Sequence, residues 1–360
     1  MHLISLVPNK RKRVVLIAVV AVGVAAALLY AFVFRPGPLA SIIPESFPGL
    51  SLDTEPPLPK EPNVVNGLLV DAETANRRPL AIMIENHTAA RPQVGLTKAA
   101  IVYEAIAEGG ITRFMAVYSP FDADKVGPVR SARQYYVEWA RGLDAFYAHV
   151  GGSQDARTLI RTLGVADLDQ FRYGTQAYHR EPKPGVAIEH TMFTSTKLLY
   201  EVARKAKFEL TAVLTPYQFK EEAPGAERGT AQTATIDFSF PTYKVVWTYD
   251  PITNAYLRSQ AGAAHVDRVT NEQISAKTIA IATVKRQLKA EEDGPGWIMT
   301  TTGSGKATVL LDGKSIVGTW KRPAKTDMIR FFNEAGEEIA LNRGQTWIEI
   351  VPPDVSYSIQ

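Results

Sequence analysis

The chain has 360 residues, 46% hydrophobic and 21% charged, a composition typical of a globular protein with room for two domains. Its net charge of +3 is misleading, because four of its 40 basic residues cluster at 10–13, in a 13-residue segment without acids. The other 36 basic residues are balanced by 37 acidic ones, which excludes the basic surface of a nucleic-acid-binding protein. The chain has no cysteine, which excludes disulfides and attachment through a lipidated cysteine.

The first sixty residues predict a membrane anchor followed by a tether. Val14–Phe34 is a run without any charged residue, and at the helical rise it spans about 30 Å, the thickness of a hydrocarbon core. Because basic residues precede this run, we expect residues 1–13 to lie in the cytoplasm and the rest outside it. A cleaved signal peptide is the alternative, although the run is long for one. Residues 35–62 are rich in proline, which predicts an extended stalk of up to about 85 Å.

Residues 63–215, called here the N-terminal region, alternate between apolar runs and helical patterns, which predicts an α/β domain. The helical patterns begin at Ser, Thr or Gln and carry apolar residues at intervals of three and four. The predicted strands are Leu80–Glu85, Ile101–Ile106, Phe114–Tyr118 and Ala145–Val150, and the predicted helices are Ser131–Leu143, Gln154–Leu163 and Thr194–Phe208.

Two strand-to-helix junctions in this region predict an anion-binding site. Arg130 and Arg133 lie at the expected start of a helix, where the dipole disfavours cations, so a bound anion would explain their presence. Ser131 is the expected N-cap of that helix, and Ser153 that of the next. The full set of predicted ligand-binding residues is Arg113, Arg130, Ser131, Arg133, Gly151, Gly152 and Ser153.

An internal ion-pair network is the alternative to an external ligand. Glu104, Glu108 or Asp155 could neutralise the arginines, and the two glycines and the serine could form an ordinary strand–helix connection. Glu104 and His149 are also the candidates for a catalytic acid or base.

Residues 164–193 have an irregular composition, which predicts a long loop that covers the site. His179, Arg180 and His190 are the residues expected to enter the site from this lid. The sequence shows no metal-binding motif and no sign of a cofactor, so we expect neither.

Residues 228–360, called here the C-terminal region, contain nine short strand patterns at intervals of about 8–12 residues, which predict a β-rich sandwich or barrel. Gly303–Lys306 resembles part of a phosphate-binding loop, but the expected first glycine is Thr300, so a hairpin turn is the better interpretation. The tryptophans of this region are expected in the core, with a sugar-stacking surface as the alternative; they are Trp247, Trp297, Trp320 and Trp347.

Several segments resemble the YerB-like family of bacterial lipoproteins. They are RRPLAIMIENHTAARPQVGLTKAAIVYEAIAEGGITRFMAVYSP and VGPVRSARQYYVEWARGLDAFYAHVGGS in the N-terminal region, then HTMFTST, WTYDPITNAYLRS, GSGKATVLLDGKSIVGTW and GQTWIEIVP. The resemblance covers about residues 63–356. It implies a membrane-tethered protein outside the cytoplasm, with an α/β N-terminal domain and a β-rich C-terminal one. This chain departs from the family in having an apolar run where members carry a lipidated cysteine.

A looser similarity in outline exists to the LytR-CpsA-Psr phosphotransferases, which hold a pyrophosphate with arginines. Arg113 and Arg130 occupy comparable places, but the acidic metal ligands of those enzymes have no counterpart here. We therefore expect a cell-envelope protein that binds an anionic wall polymer or an envelope protein. The alternatives are an enzyme acting on lipid-linked phosphates or wall glycopolymers, and a structural partner of wall-synthesis enzymes.

Overall fold

A computed structural model describes residues 59–230, 233–291 and 294–360. The predicted cytoplasmic tail, the predicted anchor at 14–34 and most of the predicted stalk lie outside these residues. Within the described ranges, no helix is both long and apolar enough to cross a membrane. The last residues assigned to the stalk are folded, because Lys60–Pro62 form a strand.

The N-terminal region alternates strands and helices, as its sequence predicted. Most bounds agree with the predicted ones to within three residues, and two strands agree at both ends. The elements are β1 (Lys60–Pro62), β2 (Leu69–Asp71), α1 (Ala72–Ala75), β3 (Leu80–Glu85), β4 (Ile101–Ile106), β5 (Thr112–Tyr118), α2 (Gln134–Gly142), β6 (Phe146–His149), α3 (Gln154–Thr162), β7 (Ala166–Asp169), α4 (Gln170–Tyr173), β8 (His179–Arg180), β9 (Met192–Phe193) and α5 (Thr196–Lys205).

The remainder of the described chain is built from strands and short 3₁₀ turns, which confirms the β-rich prediction. The strands are β10 (Phe219–Lys220), β11 (Thr233–Asp237), β12 (Lys244–Asp250), β13 (Ala255–Gln260), β14 (Ala263–Ala264), β15 (Ser275–Ala276), β16 (Thr278–Thr283), β17 (Arg286–Glu291), β18 (Gly294–Met299), β19 (Gly303–Leu311), β20 (Lys314–Arg322), β21 (Arg330–Asn333), β22 (Leu341–Asn342), β23 (Thr346–Val351) and β24 (Tyr357–Ile359).

One ten-stranded sheet contains strands from both regions, in the order β21-β20-β19-β16-β23-β4-β5-β3-β6-β7. The junction lies at β23, which pairs in parallel with β16 on one side and with β4 on the other. The C-terminal region is therefore not a self-contained sandwich or barrel. Five of its fourteen described strands extend the sheet of the N-terminal region, and the described residues form one compact unit.

A second sheet, of six strands, packs against one face of the large sheet. Its main path is β14-β13-β12-β11-β24, and β15 pairs with β13. Trp247 on β12 meets Trp347 on β23 edge to face, with 5.2 Å between ring centroids. The prediction that the tryptophans lie in the core is confirmed for three of the four, because Trp247, Trp320 and Trp347 are at most 2% exposed, which excludes the alternative sugar-stacking surface at these positions.

The opposite face of the large sheet is covered by α2 and α3. Residues of β4 alternate between the two cores: Val102 packs on the side of the second sheet, and Tyr103 packs on the side of α2. The ring of Tyr103 stacks on Trp139 of α2 at 5.3 Å. Because both faces are covered, every residue of β4 is buried, which explains its uninterrupted apolar sequence with one exception, Glu104.

Candidate functional site

The segment before α2 lies across the ends of β3 and β6. The amide of Arg130 donates to the carbonyl of Met83 on β3, and the amide of Val150, just after β6, donates to the carbonyl of Arg130. Ala132 forms a bridge with Gly152. These backbone contacts bring the two predicted strand–helix junctions together, so the arginines and the Gly151–Ser153 turn are neighbours.

Two of the three predicted site arginines share one internal carboxylate. Arg113 Nη2 lies 3.1 Å from Glu108 Oε2, and Arg133 Nε contacts Glu108 Oε1. Arg113 also donates to the carbonyl of Ser131 at 2.9 Å. Burial alone would raise the pKa of Glu108, but the two guanidinium groups outweigh it and hold the pKa below its usual value. Glu108 is thus the internal partner that the sequence offered as an alternative to a ligand.

Arg130 has a different environment. Its Nε lies 2.5 Å from Oε2 of Glu85, which is 3% exposed, and its Nη2 lies 3.4 Å from Oε1 of Glu189, which is 52% exposed. His190 Nδ1 lies 3.3 Å from the same Glu85 oxygen and stacks on His87, with 4.6 Å between ring centroids. Arg130 is therefore fixed from the interior by Glu85, and its outer contact is a weak pair with an exposed side chain.

The serines of the predicted site differ in their roles at the helix starts. The helix α2 begins at Gln134 with Arg133 as N-cap and no side-chain cap, so the prediction that Ser131 caps it is wrong. The reason is the bridge from Ala132 to Gly152, which keeps the chain extended for longer than expected. Ser153 does cap α3, as predicted, by accepting from the amide of Ala156.

The two glycines permit close packing. Gly151 has a φ of +57°, and a Cβ there would meet the ring of Phe171 at 2.9 Å. A Cβ at Gly152 would meet the Cβ of Ala132 at 2.9 Å. Both positions are explained by the approach of neighbouring chain segments, without a bound ligand.

Both catalytic candidates are buried, and both are paired with other residues of the protein. His149 is 1% exposed, with Nε2 3.0 Å from Asp167 Oδ1 and Nδ1 2.7 Å from the carbonyl of Gly151. Glu104 is fully buried and pairs with Arg258, which is also fully buried, at 2.5 Å. In this arrangement neither side chain is open to solvent, and their candidate roles as acid or base remain a prediction.

Glu104 belongs to a buried polar cluster that the sequence did not reveal. Glu349 of β23 lies beside it in the sheet register and accepts from the indole of Trp247 at 2.7 Å. Arg258 also contacts Nδ1 of His265 at 2.5 Å. Burial, and then the charge of Glu104, raise the pKa of Glu349 well above its usual value, so Glu349 keeps a proton and hydrogen-bonds to Glu104.

The predicted lid is more ordered than its composition suggested. Residues 164–193 contain β7, α4, β8, β9 and two 3₁₀ turns. His179 and Arg180 form β8, where His179 pairs with Glu181 and Arg180 donates to the carbonyl of Ile188. Only His190 reaches the arginines, through Glu85.

Two residues at this site escaped the sequence interpretation, Glu85 and Glu189. Glu85 ends an apolar strand, and a carboxylate at a buried strand end is a signal that could have been used. Of the other carboxylates considered, Asp155 contacts Lys289 of β17 and pairs with no arginine among the described residues. Glu189 carries no comparable signal, because its position depends on how the 181–191 segment folds back.

Comparisons with known proteins support the two-region organisation. A family model described as "Protein of unknown function (DUF3048) N-terminal domain" matches residues 65–209, and the corresponding C-terminal domain model matches residues 234–348. "Putative lipoprotein YerB" of Bacillus subtilis is 30% identical over 303 residues, which are 80% of this chain and 85% of that protein.

A solved structure agrees with the fold. The crystal structure of the YerB protein from Bacillus subtilis superposes with a TM-score of 0.71 at 29% identity, covering 83% of this chain and 99% of that one. With both family domains matched in order and a relative aligned over most of its length, the chain belongs to the YerB-like family.

Proposed function

We propose that this chain is a membrane-associated protein of the bacterial cell envelope that binds an anionic wall component, or an anionic envelope partner, at Arg130. The location is supported by the relative from Bacillus subtilis, which is named as a putative lipoprotein. It is also supported by the basic residues at 10–13 and the apolar run Val14–Phe34, which together serve as the anchor that the missing cysteine cannot provide.

The observation that carries the proposal is the asymmetric environment of Arg130. Glu85 holds the guanidinium from the interior, while the only outer partner in the described chain is Glu189, half-exposed and 3.4 Å away. Exposed pairs of this kind contribute about 0–1 kcal/mol, so an external anion can replace Glu189 at small cost.

Charge balance favours the same exchange. With Glu189 in place, three arginines (Arg113, Arg130 and Arg133) are matched by three carboxylates (Glu85, Glu108 and Glu189). Displacing Glu189 leaves three positive charges against two negative ones, which creates a site for one anionic group. A phosphate or carboxylate can accept two parallel N–H bonds from a guanidinium, which makes arginine well suited to this role.

The experiment compares binding of inorganic pyrophosphate and of purified teichoic-type wall polymer to the full chain and to three variants. Arg130→Gln should abolish binding, and Glu189→Gln should strengthen it, because the internal competitor is neutral. Arg157→Gln, an exposed arginine on α3, is the matched control and should bind like the wild type.

Two results would contradict the proposal. One is unchanged binding in Arg130→Gln. The other is weaker binding in Glu189→Gln, which would mean that Glu189 helps to hold the ligand or the site. The enzymatic alternative gains no support from the described residues, since Glu104 and His149 are occupied in the interior.

A further inference from the structure

A second cleft, remote in sequence from Arg130, lies in the C-terminal region. It is bounded by the end of β16, the start of β19 and the segment 352–357 that leads into β24. Its volume is about 610 Å³, within the range of about 300–1,000 Å³ that is usual for sites that take small organic ligands. Ser304, Gly305 and Lys306 form part of it. The segment Gly303–Lys306 begins β19, so the predicted hairpin turn is wrong.

Two lysines line this cleft without a neutralising partner. Lys285 and Lys306 are exposed, and neither ammonium group makes an ion pair or hydrogen bond with any described residue. The acidic residue of the 352–357 segment is Asp354, and it pairs with Arg286 at 2.7 Å. The cleft therefore has two positive charges that no residue of the described ranges balances.

Hydroxyl groups accompany the lysines. Thr283, Thr300 and Ser304 line the cleft, and their hydroxyl groups have no hydrogen-bond partner within the described part of the chain. Tyr357 also lines it, and its hydroxyl lies 3.3 Å from Thr308 Oγ1. A hydroxyl can both donate and accept, which matches it to a ligand that is itself rich in hydroxyl groups.

Trp320 and apolar residues of the 352–357 segment complete the lining of the cleft. The indole Nε1 of Trp320 donates to the carbonyl of Thr283 at 2.8 Å. A Cβ at Gly305 would lie 2.5 Å from that nitrogen, so only glycine allows the two strands to close over it. Pro352 and Val355 add apolar surface to the wall. Because Trp320 is 2% exposed, it offers no open ring face on which a nucleic-acid base could stack.

We propose that this cleft binds an anionic saccharide, that is, a sugar that carries a carboxylate or a phosphate group. The lysines would neutralise the acidic group, the hydroxyls would exchange hydrogen bonds with the sugar, and the proline and valine surfaces would pack on its C–H face. A bare inorganic anion would leave most of the volume and the hydroxyls unused. This site does not depend on Arg130, so either proposal can fail without the other.

The test is calorimetric titration of the full chain with hyaluronan tetrasaccharide, which carries carboxylates, and with glucose 6-phosphate, which carries a phosphate. The double variant Lys285→Gln/Lys306→Gln should raise the Kd by about tenfold or more, since two charge contacts are lost. Lys183→Gln/Lys314→Gln removes the same charge at exposed lysines outside the cleft and should leave the Kd unchanged.

A second variant tests the cleft itself. Ser304→Trp keeps both lysines but fills the space, so it should abolish binding while the melting temperature stays near that of the wild type. If neutral chitotetraose bound as tightly as the anionic saccharides, the charge would be irrelevant. If inorganic phosphate bound as tightly, the sugar would be irrelevant. Either result overturns the proposal, as would an absence of binding at millimolar concentration or an equal loss in the control variant.

Discussion

The three arginines of the candidate site and the two lysines of the second cleft carry the same charge. The arginines are neutralised by carboxylates of the protein, whereas the lysines have no partner among the described residues. Arg113 and Arg133 share Glu108, and Arg130 is held by Glu85. Lys285 and Lys306 have no such partner within the described ranges. A guanidinium presents several fixed donors and can tie chain segments together, whereas an ammonium on a flexible stem is readily left in solvent.

The comparison teaches that a cluster of cations near glycines is not by itself a sign of a ligand. At the arginines, the sequence pattern correctly predicted a convergence of charges, but the carboxylates that pair with them in the structure belong to the protein itself. At the lysines, the pattern suggested only a turn. Whether a positive charge has an internal partner decides between structure and binding, and that property emerges only when distant segments are packed together.

The largest effect is expected when the shared carboxylate of the arginines is removed. Glu108→Gln should lower the free energy of unfolding by about 2–3 kcal/mol, because two largely buried guanidinium groups lose their charged partner. Glu189→Gln is the matched control, and its exposed pair should account for no more than about 0.5 kcal/mol. Urea unfolding at neutral pH measures both. If both variants lost the same free energy of unfolding, the internal and the surface carboxylates would not differ in their contribution to stability.

The buried cluster that joins the two regions predicts a dependence on pH. Glu349 keeps its proton in the folded state, whereas the unfolded chain releases it above its ordinary pKa of 4.5. The folded state then binds more protons, so the free energy of unfolding falls as pH rises, by up to about 1.4 kcal/mol per pH unit from this group. Glu349→Gln keeps a donor toward Glu104 and should remove this decline.

His265 acts in the opposite direction and over a lower range. Burial, and then Arg258, lower its pKa well below 6.5, so only the unfolded chain gains a proton from it below that value and stability falls with acidity. The Glu349 effect is therefore best measured from neutral to mildly alkaline pH, by urea unfolding of both proteins. Parallel curves for Glu349→Gln and the wild type would show that Glu349 is ionised in the fold.

The smallest effect is expected at the lysines. Lys285→Gln/Lys306→Gln should change the free energy of unfolding by less than about 0.5 kcal/mol, because neither side chain has a partner to lose among the described residues. Thermal melting without ligand measures it. A marked loss of stability would mean that the lysines belong to the fold, and the contrast with the arginines would disappear.

Local patterns predicted the elements well and their partners poorly. Apolar runs bounded by turn residues located β3 and β4 at both ends, because a strand buried on two faces has a distinctive composition. The start of α2 was misplaced because a bridge to Gly152, which is distant in sequence, overrides the local capping preference of Ser131. Lys306 was assigned to a turn because glycines favour turns, whereas Gly305 is required here by the packing of Trp320.

Charge partners were the least predictable feature. Three nearby carboxylates were considered for the arginines, and only Glu108 proved correct, while Glu104 pairs with Arg258 from the other region. That pairing depends on the position of β23 beside β4 in the sheet. No local sequence pattern predicts a parallel pairing between segments so far apart in sequence.

The position of β23 also bears on how the protein is made. Residue 346 pairs with residue 101, so the edge of β4 stays open until nearly the whole chain has emerged from the ribosome. A fragment ending at residue 215 would expose that edge as an unprotected strand that is apolar except for Glu104, and such a strand is prone to pair with other chains. The boundary between the two family domains is thus a boundary in sequence only. A protein truncated there should aggregate, although the domain models would suggest an independently folding domain.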